Sequence, residues 1–515
     1  MLLLTGLLSF IWFLGFFPTA HAGGGALLLI GGGDEDFTPG SWCEAPYKRL
    51  IELSGGGNLL IVSPVDESCF PGAPLERCIP IGTSVPGTGR TATYFRELGA
   101  RSVEYLTIGA KFEADSDAVV TRVSAADAIF LTDRPVSVLL HSWKGSRFAM
   151  LLKSMHENGK PLAAKGESAR WLCDICERPE PSIGTQAGAG NGPGMEPLVG
   201  AGYASAGLLL RNAMAGQGFS ETDGLGLLSD TFFQPRASRD GGVARMGVLL
   251  GRFYATSTGT NSTLLGLGLD EKTTLFVDAN GFGMVGGEGS AVFLTRTASS
   301  VFSIRNGLPP IVTHLACDIL TEGFLYNLTE HHIAAVPEDT ESVFPTPPVR
   351  PYESLLLDGT SSETARAGLV EIVNHDEDAL ALQGGRLGQV AGHDRFNGTI
   401  LVNRAFENRD LVENRVGGLL WAMANHPYSS GVLIDHGGRA ELFPDGLFTP
   451  LAVTDQPTIL LFDARNLAYR AFGTRKGTAD GSGPRQTVAL AGLSFHLIAT
   501  RCTWNARTGG ITVRP

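Results

Sequence analysis

The chain predicts an α/β fold: a doubly wound, mostly parallel sheet with a C-terminal α/β extension. Three observations carry this. Between Ala26 and Ser168, short apolar runs alternate with helix-forming segments, the rhythm of parallel strands joined by crossover helices. Small residues follow the runs directly: Gly31-Gly-Gly after the first, Ser63 after the second, Thr132 after a later one. Ligands in such sheets gather at these carboxyl ends. The third observation is Pro161-Leu-Ala-Ala-Lys-Gly-Glu-Ser-Ala-Arg-Trp-Leu172, an apolar run, a tight turn and a helix start. A strand–turn–helix of this kind can present a serine at the end of a central strand.

Taken in order, Met1 to Ala22 is apolar and ends in Ala20-His-Ala22, which reads as a signal peptide over 1–22. No Lys or Arg precedes the run, so an uncleaved anchor is the alternative; export is the expectation. No later stretch is long and apolar enough to span a membrane. Strands are expected at Ala26–Ile30, Asn58–Val62, Ser102–Thr107 and Ala126–Leu131. Helices are expected at Cys43–Ser54, at Thr88–Leu98 closed by Gly99, and within Val136–Asn158. Gly184 to Gly200 is a loop by composition. An apolar helix near Met246 follows Gly224–Arg236. Strands follow at Leu275–Asp278 and, as a pair, over Met284–Leu294. The main α/β domain is placed at 23–300, a closing strand and Pro-rich linker at 301–351, and the extension at 352–515.

Composition narrows the partners. A net charge of −12 and pI near 5.4 argue against nucleic acid and suit a soluble protein, tolerant of arginine-rich substrates. Of the 7 cysteines, Cys69 and Cys78 bracket a Pro/Gly-rich loop and are the expected disulfide pair in an exported chain. Cys173-Asp-Ile-Cys176 has redox or metal spacing. No second pair stands at zinc spacing, so no metal is expected. The odd count leaves a thiol free or paired between chains. Asn261, Asn327 and Asn397 begin glycosylation sequons.

At the elbow, Ser168 is the candidate nucleophile and the N–H of Ala169 a candidate oxyanion donor. The plain alternative is a helix cap. Arg170 stands where G-x-S-x-G carries its second glycine.

Several blocks together resemble the cyanophycinase family of serine peptidases, over roughly Ala26 to Thr297. Leu29 to Asp34 is similar to the family's I-G-G-G-E-D, and Ala126 to Thr132 to the strand before its G-G-D-Q. Gly166-Glu-Ser-Ala169 is similar to G-T-S-A. Asp230-Thr-Phe-Phe233 with Arg236 is similar to D-Q-H-F-x-x-R, and Gly266-Leu-Gly-Leu-Asp-Glu271 to G-I-G-I-D-E. The resemblance implies a sheet like that of the class I glutamine amidotransferases and a Ser–His–Glu triad that cuts β-aspartyl–arginine units of cyanophycin, with no cofactor. By position the nucleophile is Ser168 and the orienting carboxylate Glu271. Phe232 takes the histidine position and offers no lone pair. Asp230 and Arg236 keep the family's substrate-holding places. Thr132-Asp133-Arg134-Pro135 stands where T-G-G-D begins, and Val136 where the glutamine belongs, so the oxyanion glycines are missing. A relocated base would have to be His141 or His156; Cys173 or Cys176 are alternative nucleophiles.

Two functions follow. One is an exported serine peptidase acting on cyanophycin or related peptides, with an impaired site. The other is a non-catalytic relative that binds peptide or a partner through the same cleft. The extension contains a possible degenerate copy. Asn403-Arg-Ala-Phe406 is similar to Asp230–Phe233, Ser430 to Gly446 to Gly266–Gly281, and Asp358-Gly-Thr-Ser361 to an elbow. On that alignment Ala405 and His436 take the histidine and glutamate positions. Chance similarity between glycine-rich segments is the alternative.

Overall fold

The computed structural model describes residues 24–64, 84–86, 90–134, 136–178, 220–237, 242–256, 264–303, 310–337, 340–342, 355–358, 370–374, 387–391, 399–403, 419–420, 423–424, 430–434, 439–451, 459–465, 467–475 and 485–514. The predicted signal segment, the Cys69–Cys78 pair and the loop 184–200 lie outside these residues. The fold is mixed α/β with several sheets, partly parallel.

The first segment forms β1 (Leu27–Ile30), β2 (Asn58–Ser63), β3 (Ser84–Pro86), β4 (Ser102–Thr107), β5 (Ala128–Leu131) and β6 (Leu162–Lys165). β1, β6, β5, β2 and β4 lie side by side and run parallel, with β3 antiparallel at the edge. These strands are apolar on both faces because helices cover both faces. Leu27, Leu29, Leu60 and Val62 enter one core with Trp143, Phe148 and Trp171. Leu28, Ile30, Leu59 and Ile61 enter the opposite core with Tyr47 and Phe95. The second core is covered by α1 (Glu44–Leu53) and α2 (Arg90–Glu97). The first is covered by α3 (Lys111–Ala114), α4 (Asp117–Ala125), α5 (Val136–Trp143) and α6 (Arg147–Glu157). The helical stretch expected over Val136–Asn158 is thus two helices. Gly145 turns the chain at φ 68°, and Ser146 caps α6 by accepting from the Ala149 N–H at 3.2 Å.

Beyond α7 (Glu167–Leu172) come β7 (Cys173–Arg178), β8 (Ser220–Asp223), β9 (Leu228–Pro235), α8 (Gly242–Thr256) and β10 (Leu265–Leu269). β11 (Thr273–Val277) and β12 (Phe282–Gly287) return to the first sheet, β11 pairing antiparallel with β1. β13 (Ala291–Thr295), β14 (Val301–Ser303) and β15 (Ile311–Leu320) join the second sheet, while β16 (Leu325–Asn327) and β17 (His332–Ala335) extend the first.

The described residues beyond 337 are mostly strand. It forms β18 (Thr340–Ser342), β19 (Leu355–Asp358), β20 (Val370–Asn374), β21 (Leu387–Ala391), β22 (Thr399–Asn403), β23 (Ser430–Ile434), β24 (Arg439–Leu442) and β25 (Leu447–Pro450). After these come β26 (Ile459–Asp463), β27 (Tyr469–Arg475), β28 (Arg485–Ile498), β29 (Cys502–Asn505) and β30 (Ile511–Val513). The segment predicted as an extension supplies β22, β23, β26 and β28 to the sheet that holds β7–β10, β13 and β15. Its main order is β22-β23-β26-β28-β15-β13-β10-β9-β7-β8. β19, β24, β25, β29 and β30 form a third sheet. No helix among the described residues is long and apolar enough to cross a membrane.

Candidate active site

The carboxyl ends of β1, β5, β6, β9 and β10 meet at one place. Backbone contacts hold them there. Arg236 N–H donates to Gly31 O at 3.2 Å, and Lys272 N–H donates to Gly32 O at 2.9 Å. A Cβ at Gly31 would lie 1.9 Å from Asp270 O, so only glycine lets β1 end against the end of β10.

The strand-to-helix turn predicted at 161–172 is present, with its apex two residues earlier than the sequence suggests. Gly166 carries the strained backbone, φ 57° and ψ −129°, between β6 and α7. A residue with a Cβ holds such a conformation only under strain. Ser168 instead sits in the first turn of α7 with 0% exposure, and its hydroxyl donates to Thr132 O at 2.5 Å. The expected solvent-accessible serine is therefore a buried one, tied to the end of β5. The Ala169 N–H, expected to serve an oxyanion, donates to Gly166 O at 3.1 Å within the turn.

Asp133 occupies the space above the apex. A Cβ on Gly166 would come within 2.1 Å of Asp133 Oδ1. The same Oδ1 accepts from the Glu167 N–H at 3.0 Å, satisfying a first-turn donor of α7. Its Oδ2 lies 3.1 Å from Arg236 Nη2, and Arg236 Nε lies 3.0 Å from Glu271 Oε1. Arg236 thus bridges two carboxylates whose side chains keep 25% and 27% exposure. Burial works against its charge, but Asp133 and Glu271 outweigh burial and raise its pKa further. Lys165, the last residue of β6, pairs with Glu35 at 2.7 Å, and Tyr47 donates to the same carboxylate at 3.2 Å. Glu167 pairs with Arg170 at 3.1 Å, and Arg170 donates to Gln234 Oε1 at 2.9 Å. Each of the four carboxylates thus has a cation: Asp133 and Glu271 share Arg236, Glu35 has Lys165 and Glu167 has Arg170.

Of the residues expected at the site, Glu271 and Arg236 come together here. Asp230 does not. It lies near the start of β9, six residues before Arg236, a span of about 20 Å at 3.3 Å per strand residue. Its carboxylate acts on His331 and Tyr254 instead. Phe232 faces the other way. Successive strand residues alternate faces, so Phe233 joins the core with Ala169 and Trp171 while Phe232 packs with Met246 of α8. A histidine at 232 would point into that second core. His141 is exposed on α5. His156 is buried on α6, and burial lowers its pKa. Cys173 and Cys176 are buried, and burial raises the pKa of Cys173 well above its usual value. Among the described residues no group of three or more His, Cys, Asp or Glu is placed to hold a metal ion.

Two residues that matter here were not singled out from sequence, Gly166 as the apex and Asp133 as its cover. The signal was present: Asp133 stands in the place of a glycine of the family pattern.

No protein-family model matches the chain, and no curated protein matches it. Among solved structures it is similar to a peptidase from an acI-B1 Actinobacterium, at 15% identity and TM-score 0.31, over 59% of this chain and 98% of that one. It is also similar to a "Putative Peptidase E Protein" from Listeria monocytogenes EGD-e, at 12% identity and TM-score 0.27, over 54% of this chain and 100% of that one.

Proposed function

We propose that this chain is an exported, cyanophycinase-like α/β protein of doubly wound, glutamine amidotransferase-like type that binds a basic peptide end and does not cut it. The observation that carries the reading is Gly166 at the strained apex with the Asp133 carboxylate in the space a nucleophile would need. Three further features agree. Ser168 is buried and its hydroxyl engaged, the Ala169 N–H is spent within its own turn, and position 232 faces away. A serine without a general base is a poor nucleophile, and loss of triad members costs on the order of 10⁶ in turnover. Asp133 and Glu271 keep 25% and 27% exposure beside Arg236, so a guanidinium or ammonium group can reach them, and a β-aspartyl–arginine unit carries one. Charge-assisted hydrogen bonds to such a cation are the strong kind.

The test is twofold. Release of β-aspartyl–arginine from cyanophycin is expected to be the same for wild type and Ser168→Ala, at background. Calorimetric titration with the dipeptide is expected to show binding that Glu271→Gln weakens about tenfold, the loss of one charge-assisted bond. Wild-type release that disappears in Ser168→Ala would restore the peptidase reading. Absence of any binding heat would remove the binding one.

A further inference from the structure

We infer that β19–β30 is a second copy of the scaffold made by β1 and β7–β17, and that it sits against the first copy as the partner subunit of a two-fold dimer would. The pairing partners repeat in order. β1 pairs antiparallel with β11, β11 with β12, β12 with β16 and β16 with β17; β19 pairs antiparallel with β24, β24 with β25, β25 with β29 and β29 with β30. In the shared sheet β9, β10, β13 and β15 are matched by β22, β23, β26 and β28, with a parallel pair first and antiparallel pairs after it in both. Helical residues 419–420 and 423–424 lie between β22 and β23 as α8 lies between β9 and β10. Each helix packs over a glycine of the strand that follows it: a Cβ at Gly266 would meet Met246, and one at Gly431 would meet Met423.

Register makes the argument specific. Ala291 pairs with Leu320 and Ile459 with Ile498; Gly283 pairs with Tyr326 and Phe448 with Trp504. These set Leu320 equivalent to Ile498 and Tyr326 to Trp504, one constant spacing along the chain. On that spacing Leu315, Ala316 and Cys317 of β15 correspond to Leu493, Ser494 and Phe495 of β28. The two strands pair as Leu315 with Phe495, Ala316 with Ser494 and Cys317 with Leu493. Each position meets the counterpart of its mirror position, so a two-fold axis passes through Ala316 and Ser494. The irregularities obey the same axis. His314 and Gly492 are equivalent, and both have left-handed backbones, φ 58° and 80°. The His314 N–H donates to His496 Nδ1 at 3.0 Å and the Gly492 N–H to Asp318 Oδ1 at 2.8 Å, each capped by the other copy at equivalent places. Asn327 and Asn505 each accept two backbone N–H groups from the turn that follows.

The correspondence also re-registers the sequence alignment. β22 pairs Thr399 with Ser430 as β9 pairs Thr231 with Leu265, so Phe232 matches Ile400 and not Ala405.

The second copy has no counterpart of β2–β6 among the described residues. It therefore lacks the strand ends that bring Asp133 and Gly166 together in the first. What it supplies is a partner strand. Val312, Leu315, Cys317 and Ile319 are all buried against α8 and β28, and an uncovered edge of that composition would recruit another strand. The edge of β15 is thus built for an antiparallel strand of its own kind, and the chain carries that strand itself.

A protease site inserted between residues 342 and 355 of the full chain tests this. After cutting, the two pieces are expected to stay one particle with the mass of the uncut chain, parting only in denaturant. Separation in native buffer would overturn the inference. The axis is tested independently by Leu315→Ala and Leu493→Ala, the same residue at equivalent places. They are expected to lower the melting midpoint equally, within about 1 °C. A loss several times larger at one site than at the other would overturn the two-fold relation.

Discussion

The two copies differ most where the chemistry would lie. In the first, β1 is followed by four more parallel strands whose ends collect Gly166, Asp133 and the Arg236–Glu271 pair. In the second, β19 takes the place of β1 beside its hairpin and the described chain goes on to the β20–β21 hairpin. The shared part is the sheet that packs; the part found once is the sheet that presents loops. Among the described residues, the strand ends that gather the site belong to the first copy.

The largest expected effect is at the apex. Gly166→Ala puts a Cβ into a strained backbone region and onto Asp133. A loss of about 3–5 kcal/mol in denaturant unfolding is expected, strain and overlap together. Asp133→Gly in the same chain should return only the overlap part. Full recovery would mean the backbone was never strained.

Next is the contact between copies. Gly247 of α8 lies under Phe495 of β28, where a Cβ would approach its ring to 2.7 Å. Gly247→Ala is expected to cost about 1–3 kcal/mol by overpacking, and Phe495→Leu to relieve part of it in a double-mutant cycle. Strict additivity would mean that the two do not touch.

A smaller contrast separates the two bulges. Gly492→Ala should cost about 1–2 kcal/mol, because the backbone there is left-handed. His314→Gly should stay within about 0.5 kcal/mol of wild type, relief of strain offsetting added freedom of the unfolded chain. Equal losses at both positions would break the comparison.

The last contrast is in pH, where the two caps respond in opposite directions. His496 accepts at Nδ1, so its proton is on Nε2, which is buried without a partner. Burial, then His314, lowers its pKa to about 3, with Asp463 pulling the other way and Arg465 adding to the lowering. A pKa below the unfolded value near 6.5 means its contribution is complete above pH 6.5 and is lost as pH falls toward 3. Asp318 has its pKa raised by burial, against hydrogen bonds from Gly492 and Tyr326 and the charge of His332. Its contribution is complete below the usual carboxylate range and is lost as pH rises through the raised value. His496→Asn should flatten the acid limb of stability against pH. An unchanged acid limb would show that protonation of His496 does not matter to the interface.

The sequence by itself determined the strands at Leu27–Ile30, Asn58–Ser63, Ser102–Thr107 and Ala128–Leu131, the helices at Glu44–Leu53 and Arg90–Glu97, and the places of Gly31, Ser63 and Thr132 just past strand ends, but not β3 or the helices at Lys111–Ala114 and Asp117–Ala125. These follow from local pattern: apolar runs too short for helices, and breakers directly after them. Tertiary structure decided the rest. Whether Gly166 or Ser168 is the apex depends on a backbone angle and on a carboxylate brought from the end of β5, neither written in Gly-Glu-Ser-Ala. Which core receives Phe232 depends on the phase of a period-two strand, and a shift of one residue exchanges the faces. The second copy was visible only as faint similarity, with the Asp230–Phe233 block aligned five residues out of place and the Glu271–His436 match in register. Strand pairing fixed it, because hydrogen-bond register constrains backbones whose side chains have diverged.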